Sequence, residues 1–558
     1  MINRRWVTFW RLVKTGKIKE LSIRIFRLIK RSIKRETEVE YSKWRSKWVE
    51  LDKEDKKQIQ KRIKNLAHRP SFTLFLEFDK SNESSIVPTV ESVIAQLFPD
   101  WILIIKNRQK LNPDDLEKIL SFEDSRIRFL DANKVELNDW IVELKSGTTL
   151  HDAALFATAV SIIKNPEILL TYSDQDHLDT NGNYCDPYLK PDWNSDLFAA
   201  IDYISPFVVC KREFWETERE NTSDQYIFLL QATKQLNRQK ILHLPYILAT
   251  TQIYDKSHLN PPVKRINYVL PSPLPIVSIL IPTRDQGLIL ERCLETLLGK
   301  TDYSNFEVIL IDHETKESKA LDLLTKFAVE ENIQVLSYKG LFNFSAMINR
   351  AAKITNGQIL VLLNNDTEVI DPHWLKELVS QVVRPDVGIV GNLLLFGDGT
   401  IQHAGVHPGV GGLMGHGHKH LPSNNSGYFN RLNAVHEVAA VTGACMAIKK
   451  STWDELNGLD EKNLPVAYND IDLCLKAREK DLKVLFTPFS KVCHHESISR
   501  GVDDAPERNA RLRKEINFMK EKWGSFLESD PAYNPNLELN EGDFKLSQTP
   551  RTLPLPEI

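Results

Sequence analysis

The chain sets out the same run of elements twice, once on each side of a proline-rich stretch, and that repetition constrains the fold more than any other feature. Residues 260–275, NPPVKRINYVLPSPLP, hold five prolines and no regular period, which marks a linker. Before it, apolar strand-like runs stand at FPDWILIIKN (98–107), SRIRFLD (125–131) and DWIVELKSGTTL (139–150). After it, the matching runs are YSNFEVILIDH (303–313), NIQVLSY (332–338) and GQILVLLNNDTEV (357–369). In each half, helical segments separate the strands, which is the pattern of βαβ units and parallel sheets. The expectation is an α/β protein with two tandem Rossmann-like domains preceded by a basic amphipathic helix. The arm covers 1–40, the first domain 41–258, the linker 259–275, the second domain 276–505, and a C-terminal helix and tail 506–558.

Charge is the second constraint, because it is unevenly placed. The formal net charge is −3, yet residues 1–35 carry twelve Lys or Arg against Glu20 alone, +11 by count, which leaves −14 on the other 523 residues. Within 17–35, KIKELSIRIFRLIKRSIKR, a helical period gathers Ile18, Leu21, Ile25, Phe26, Leu28, Ile29 and Ile33 on one side and basic residues on the other. Such a helix, flanked by Trp6, Phe9 and Trp10, suits an anionic membrane surface rather than nucleic acid. Packing against the rest of the protein is the plainer alternative. No apolar run approaches the ~18 residues of a membrane span, and the N-terminus lacks the apolar core and cleavage site of a signal peptide. Six cysteines, none in a CxxC, fit free thiols in a reducing compartment. The expected location is the cytoplasm, peripheral at the inner face of the plasma membrane.

The halves diverge where strands leave the core. With Leu144 set against Leu363, Lys145, Ser146 and Gly147 fall opposite Asn364, Asn365 and Asp366. Asn107 falls opposite Asp312, and later Asp224 faces Asp470 while Tyr226 replaces Asp472. The first half keeps the apolar scaffold and loses carboxylates. The second gathers polar groups at element ends: Asp285 after VSILIPT, Asp312 after EVILI, Asp366 after VLLNN, Asp470 and Asp472 opening an amphipathic helix, and His494 and His495 after FTPFSKVC. Each carboxylate has a plainer reading: Asp366 suits a turn, Asp470 a helix N-cap, and Asp312 a cap on its βα loop. Against these stands the habit of open α/β sheets to bind ligands at the carboxyl ends of their strands. His416, His418 and His420 alternate in GHGHKH, where a mobile glycine-rich loop beside the site is expected rather than a zinc centre. In the first half, SDQDHLD (173–179) is expected to shape a surface loop.

The phrases IPTRD, FNFSAMINRAA (342–352), LVLLNNDTEVIDPHWL (360–375), DGTIQHAGV (398–406), AVTGACMAIKK (440–450), LPVAYNDIDLCLKARE (464–479) and HHESISRG (494–501) run in an order that resembles the glycosyltransferase family 2 enzymes. The resemblance is closest to bacterial enzymes of O-antigen and surface-polysaccharide synthesis, rhamnosyltransferase-like in type. ESVIAQLFPDW (91–101) and YSDQDHLDTNGNYCDPYLKPDWN (172–194) resemble the extra N-terminal family 2 domain of larger relatives, here degenerate. The resemblance implies two GT-A-like domains. It also implies an inverting transfer from a nucleotide-diphosphate sugar to a growing cell-surface glycan or lipid-linked acceptor, assisted by divalent manganese or magnesium. It places Asp366 at the last position of the DxD metal motif, with Asn364 at the first where many relatives carry aspartate, and His494 as the late histidine that completes the metal site. Asp285 and Asp312 match positions that hold the nucleoside, and Pro282, Thr283, Asn349, Asn364, Asn365 and Gly443 belong to the same nucleotide-sugar set. Asp470 matches the general base, with Asp472 and Asn469 in support, and His403, His416 and His495 stand on the acceptor side. The Asn364 departure favours the alternative, a catalytically inactive glycan-binding or scaffolding pseudo-enzyme. If the arm binds membranes, deleting residues 1–35 releases the protein from anionic liposomes; unchanged co-sedimentation refutes that reading.

Overall fold

The computed structural model describes residues 39–78, 86–130, 136–219, 224–234, 236–253, 257–495 and 506–558. The basic helix expected over 17–35 lies outside them. The chain divides into Met1–Glu50 and Leu51–Ile558. The described part of the first unit holds the helix Tyr41–Trp48. Among the described residues, no helix is long and apolar enough to cross a membrane.

The second unit opens with the helix Lys53–Lys64, whose start is set by a reciprocal cap between Asp52 and Asp55. Strands then follow in chain order. They are β1 (Phe72–Glu77), β2 (Trp101–Ile105), β3 (Ile127–Phe129), β4 (Trp140–Lys145), β5 (Thr148–Leu150), β6 (Leu170–Leu178), β7 (Tyr184–Tyr188), β8 (Val208–Lys211) and β9 (Ile241–Gln252). They form one sheet in the order β3-β2-β1-β4-β8-β6-β9-β5, with β7 on β6. After the linker come β10 (Val277–Thr283), β11 (Phe306–His313), β12 (Ile333–Tyr338), β13 (Ile359–Leu363), β14 (Thr367–Val369), β15 (Val387–Leu395), β16 (Ile401–His403), β17 (Val406–Pro408), β18 (Met414–His416), β19 (His436–Glu437), β20 (Cys445–Lys449) and β21 (Lys483–His494). The second sheet runs β12-β11-β10-β13-β20-β15-β21-β14, with β16 on β15 and β19 on β21. Apart from β19, which has no counterpart, this is the first sheet again, and the repetition read from the sequence is a duplication of topology.

The sheets are mixed, where βαβ reasoning expects parallel ones. β8 and β20 run antiparallel to both neighbours. The reason lies in the connection. β15 ends at the carboxyl edge of the sheet, and after the long 396–444 connection β20 re-enters from the edge where β13 leaves, pairing Cys445 with Leu363. Apolar periodicity marks a strand but carries no direction. The central strand β13, ILVLL, is buried throughout, as a strand covered on both faces must be.

SDQDHLD is not a surface loop. It lies in β6, where Ser173 through His177 are all buried. Asp174 accepts from the backbone N–H of Lys190 at 2.7 Å and pairs with His243 Nε2 at 2.8 Å. Asn534, far along the tail, donates to Asp174 Oδ2 at 2.9 Å. A buried carboxylate is tolerated when it is hydrogen-bonded on all sides, and here the partners come from three distant segments.

The two sheet domains are joined by more than the linker. Asp196, buried at the start of the helix Ser195–Ala200 of the first domain, accepts from Arg384 at 2.6 Å and Lys483 at 2.9 Å of the second. Asn194 exchanges two hydrogen bonds with the backbone of Glu437, and Tyr188 stacks on Phe429 with centroids 3.7 Å apart. The linker itself is docked, with Arg265 over the Phe489 ring and Tyr268 under Arg384. The tail then returns to the first domain: Leu555 and Ile558 pack in its core, and Arg62 donates to the carbonyls of Pro556 and Ile558. Removing one partner of a buried ion pair costs about 3–5 kcal/mol, and here the low end applies because Asp386 still pairs with Arg384 at 3.3 Å and Lys483 at 2.9 Å. Asp196→Ala should therefore lower the urea midpoint by the equivalent of about 3 kcal/mol; a wild-type midpoint, followed by circular dichroism, contradicts this picture.

Candidate active site

The expected groups converge on the carboxyl edge of the second sheet. β13 ends at Leu363, and Asn364–Asp366 turn the chain into β14, which pairs with β21 so that Thr367 faces His494. This register brings His494 Nε2 within 3.0 Å of Asp366 Oδ1 and 3.2 Å of Asn364 Nδ2. Gln402, on β16, holds the other side of the ring: its Oε1 lies 2.8 Å from His494 Nδ1. Asp366 is buried, and its carbonyl accepts from the His495 N–H. The turn reading and the ligand reading of Asp366 therefore describe one arrangement, in which the turn presents the carboxylate to the histidine.

Asp470 stands one peptide away from this group. Its Oδ2 accepts from Gly443 N–H at 2.7 Å, and the next residue, Ala444, accepts the N–H of Asn364 at 3.0 Å. Gly443 leaves little room there, since a Cβ would lie 3.3 Å from that of Asp470. Asp470 is the second residue of the helix Asn469–Glu479, behind Tyr468 in a left-handed conformation, so it is not the N-cap. Loss of hydration pushes its carboxyl above the usual range, opposed by the N–H groups of Gly443 and Ile471 and the Thr442 hydroxyl. The helix is buried along most of its length, not amphipathic on the surface. Asp472 is fully buried and accepts from Lys522 at 2.6 Å and Trp523 Nε1 at 2.8 Å, which anchors the helix Pro506–Glu528. Asn469 donates to Ser345 Oγ and Val466 O.

At the ends of β10 and β11, Thr283 stands beside Asp312 in register, with Pro282 next to Ile311. Asp285 Oδ1 accepts from the N–H groups of Lys316 and Glu317, which lowers its pKa. Asp312 Oδ1 accepts from Thr315 N–H. Both carboxylates thus shape one βα loop at the sheet edge. Asn365 donates to Thr283 Oγ1 at 3.1 Å, tying the Asn364–Asp366 turn to β10. Asn349 is placed differently from expectation: its carboxamide bonds Leu459 twice and Glu461 once, stapling the 458–461 loop.

The histidines divide. His494 belongs with Asp366, whereas His495 turns to Glu368 at 3.2 Å and Cys493 at 3.7 Å. Those three are the one tight group of metal-ligating types among the described residues. Arg292, 2.8 Å from Glu368, already compensates that carboxylate. His403 is fully buried and bonds His416, Nδ1 to Nδ1 at 2.9 Å. Of GHGHKH, Gly415 and His416 belong to β18, which pairs with β17, and residues 417–420 form the turn that follows. The tail holds it: His418 stacks on Phe544, and Gly411 N–H donates to Leu539 O. His416, His418 and His420 take separate partners, His403, Phe544 and Phe396.

In the first domain the same register sets Thr148 opposite Thr251, so Thr251 occupies the place of His494 and Gly147 that of Asp366. Asp224, opposite Asp470, caps its helix by accepting from Ile227 N–H. Gln402 went unremarked in the sequence, where the neighbouring His403 drew the eye. A neutral amide in a short strand carries no periodic or compositional signal, and only its spatial pairing with His494 reveals it.

Burial lowers the pKa of His177 and His416 to about 4 and of His436 to about 3. The unfolded chain takes up these protons near pH ~6.5 while the fold refuses them. Stability is therefore full above that pH and falls as pH drops toward the folded values, by on the order of 1 kcal/mol per unit per histidine. His243 has the opposite sign: burial opposes its charge, but Asp174 and Asp192 raise it to about 9, so its contribution is full below pH ~6.5 and is lost as pH climbs from there to that value. The urea midpoint should drop between pH 6.5 and 4.5, and a flat profile contradicts the buried neutral state.

Residues 273–511 match the model of the family described as Glycosyltransferase like family 2. The chain is 34% identical over 540 residues to the uncharacterized protein y4gI of Sinorhizobium fredii, covering 87% of this chain and 59% of that one. It is 30% identical over 543 residues to the O-antigen biosynthesis protein RfbC of Myxococcus xanthus, covering 88% and 42%. The chain thus spans about half the length of the curated relatives it matches. Among solved structures, GalNAc-T7 with UDP, GalNAc and Mn2+ aligns at TM-score 0.36 and 16% identity over 49% of each chain. The mannosyltransferase PcManGT from Pyrobaculum calidifontis with GDP-Man and Mn2+ aligns at 0.34 and 16%, over 48% of this chain and 72% of that one.

Proposed function

We propose that residues 273–511, a family 2 glycosyltransferase domain, transfer a sugar with inversion from a nucleotide-diphosphate donor to a growing surface glycan or lipid-linked acceptor. The observation that carries this reading is the meeting of Asp366, Asn364 and His494 at the sheet edge, one peptide from Asp470. The donor set fits a divalent cation, manganese or magnesium. A carboxylate oxygen and a ring nitrogen face each other at 3.0 Å, and when the nitrogen presents its lone pair the two attract a positive charge between them. Asp366 and His494 would hold that ion, with Asn364 beside them. Bound there, it supplies electrostatic stabilisation of the charge that develops on the departing diphosphate.

The chain's own residues account for the rest. The loop shaped by Asp285 and Asp312 lines the sheet end where the nucleoside belongs, and Asn365 with Thr283 fixes the metal-motif turn against it. Asp470 takes the proton of the acceptor hydroxyl as the new bond forms, giving single displacement. Its raised pKa suits a base better than an ordinary surface carboxylate. The first domain, with Gly147 and Thr251 at the metal positions, acts as a scaffold. RfbC's printed role in O-antigen biosynthesis supports a surface polysaccharide as the product, with rhamnose as the sugar suggested by sequence resemblance. The basic arm would hold the protein at the cytoplasmic membrane face, near such an acceptor.

Calorimetric titration of UDP, dTDP and GDP, with and without manganese, tests the reading. One nucleotide should bind in a metal-dependent way to wild type and fail with Asp366→Ala. Asp470→Asn should bind that nucleotide within a few-fold of wild type and lose about 10²–10⁴ in turnover. Absence of binding by folded wild type would turn the assignment to the scaffolding alternative.

A further inference from the structure

Gln402 touches His494 twice, and the two contacts together determine the protonation of the ring. Its Oε1 lies 2.8 Å from Nδ1, and its Nε2 lies 3.3 Å from the His494 carbonyl oxygen. A backbone carbonyl only accepts, so the amide nitrogen must be the group facing it. That fixes the other end of the carboxamide: the oxygen faces Nδ1. An oxygen of this kind only accepts, so Nδ1 must carry the hydrogen. In the neutral ring the lone pair then belongs to Nε2, the nitrogen that faces Asp366 Oδ1 and Asn364 Nδ2. Gln402 is 4% exposed, and β16 is held to β15 through Leu394–His403 and Leu395–Ile401. The clamp is thus built into the sheet, not laid on its surface.

From this geometry we infer that Gln402 is the positioning residue of the metal site, selecting the Nδ1–H tautomer of His494 and aiming its Nε2 at the cation. The inference rests on the metal-dependent reading above and deepens it. Gln402 touches neither donor nor acceptor; it acts through the histidine. Partners of this kind usually contribute 10–100-fold to metal affinity.

The test is titration of full-length protein with Mn2+ alone, following the free ion by electron paramagnetic resonance, for wild type, Gln402→Met and Gln402→Glu. Methionine keeps the volume and removes the acceptor; glutamate keeps an acceptor oxygen opposite Nδ1. The expected result is a 10–100-fold weaker Mn2+ dissociation constant for Gln402→Met, with Gln402→Glu closer to wild type and the melting temperatures alike. Ring nitrogen NMR shifts of metal-free wild type, with His494→Ala identifying the signals, should show Nδ1 protonated. Equal Mn2+ binding by wild type and Gln402→Met overturns the clamp and leaves the metal reading standing. Equal weakening in both variants with a lowered melting temperature makes Gln402 a packing residue and also overturns it. If wild type binds no Mn2+ and Asp366→Ala changes nothing, the metal reading itself fails and takes the clamp with it.

Discussion

A carboxylate taken out of water must be given donors or cations, because unpaired it costs several kcal/mol. That requirement decides how this chain is put together. Asp174 sits inside β6, and its partners are His243 on β9 and Asn534 in the tail. Asp196 is buried in the first domain, and its cations, Arg384 and Lys483, belong to the second. Asp472 lies in the helix Asn469–Glu479 and is satisfied by Lys522 and Trp523 of the helix Pro506–Glu528. In each case the group that satisfies the carboxylate comes from another element. The hydrophobic sheets set the layers, and the buried acids set which layers must meet.

The same rule separates the site from its supports. Asp472, two residues from Asp470, has a lysine and an indole. Asp470 has backbone N–H groups and a hydroxyl. Those donors hold the carboxylate in place and draw its pKa down, but loss of hydration outweighs them and leaves it above the usual range. Asp366 is the other departure. It faces a histidine nitrogen at 3.0 Å whose ring Gln402 holds from behind. Asp196 and Asp472, given cations, build structure here, whereas Asp470 with its amides and Asp366 with its imidazole stand at the sheet edge where chemistry is expected.

How much of this was legible in the sequence follows from where each partner lies along the chain. The duplication was legible because apolar runs repeat locally, and the equivalence of Leu144 with Leu363 and of Asn107 with Asp312 matches the observed register. His494 was separable from His495 by motif spacing, and the structure pairs His494 with Asp366. SDQDHLD was misread because aspartates in sequence look solvated, whereas the residues that bury Asp174 lie 69 and 360 positions away. The direction of β8 and β20 was hidden because alternation has no arrow. GHGHKH looked mobile for its glycines, and its order comes from Phe544 and Leu539, more than a hundred residues later. Asn349 matched a binding phrase, but its carboxamide is occupied by Leu459 and Glu461.

These connections also bear on why a domain without metal-site ligands is retained as part of the body. At the positions of Asp366 and His494 it carries Gly147 and Thr251. The helix that presents Asp470 is pinned through Asp472 to the helix Pro506–Glu528. From there the chain runs on through Asp530, paired with His407 beside the histidine ribbon at 2.7 Å, to Asn534 on Asp174 and finally to Leu555 and Ile558 in the first core. Each link is a buried, directional contact, and rigid placement of a base requires its supports to be held as firmly as the base itself. The first domain is the body on which that chain of contacts ends. The first domain, which carries Gly147 where the second carries Asp366, thus fixes the far end of the segment that pins the helix of Asp470.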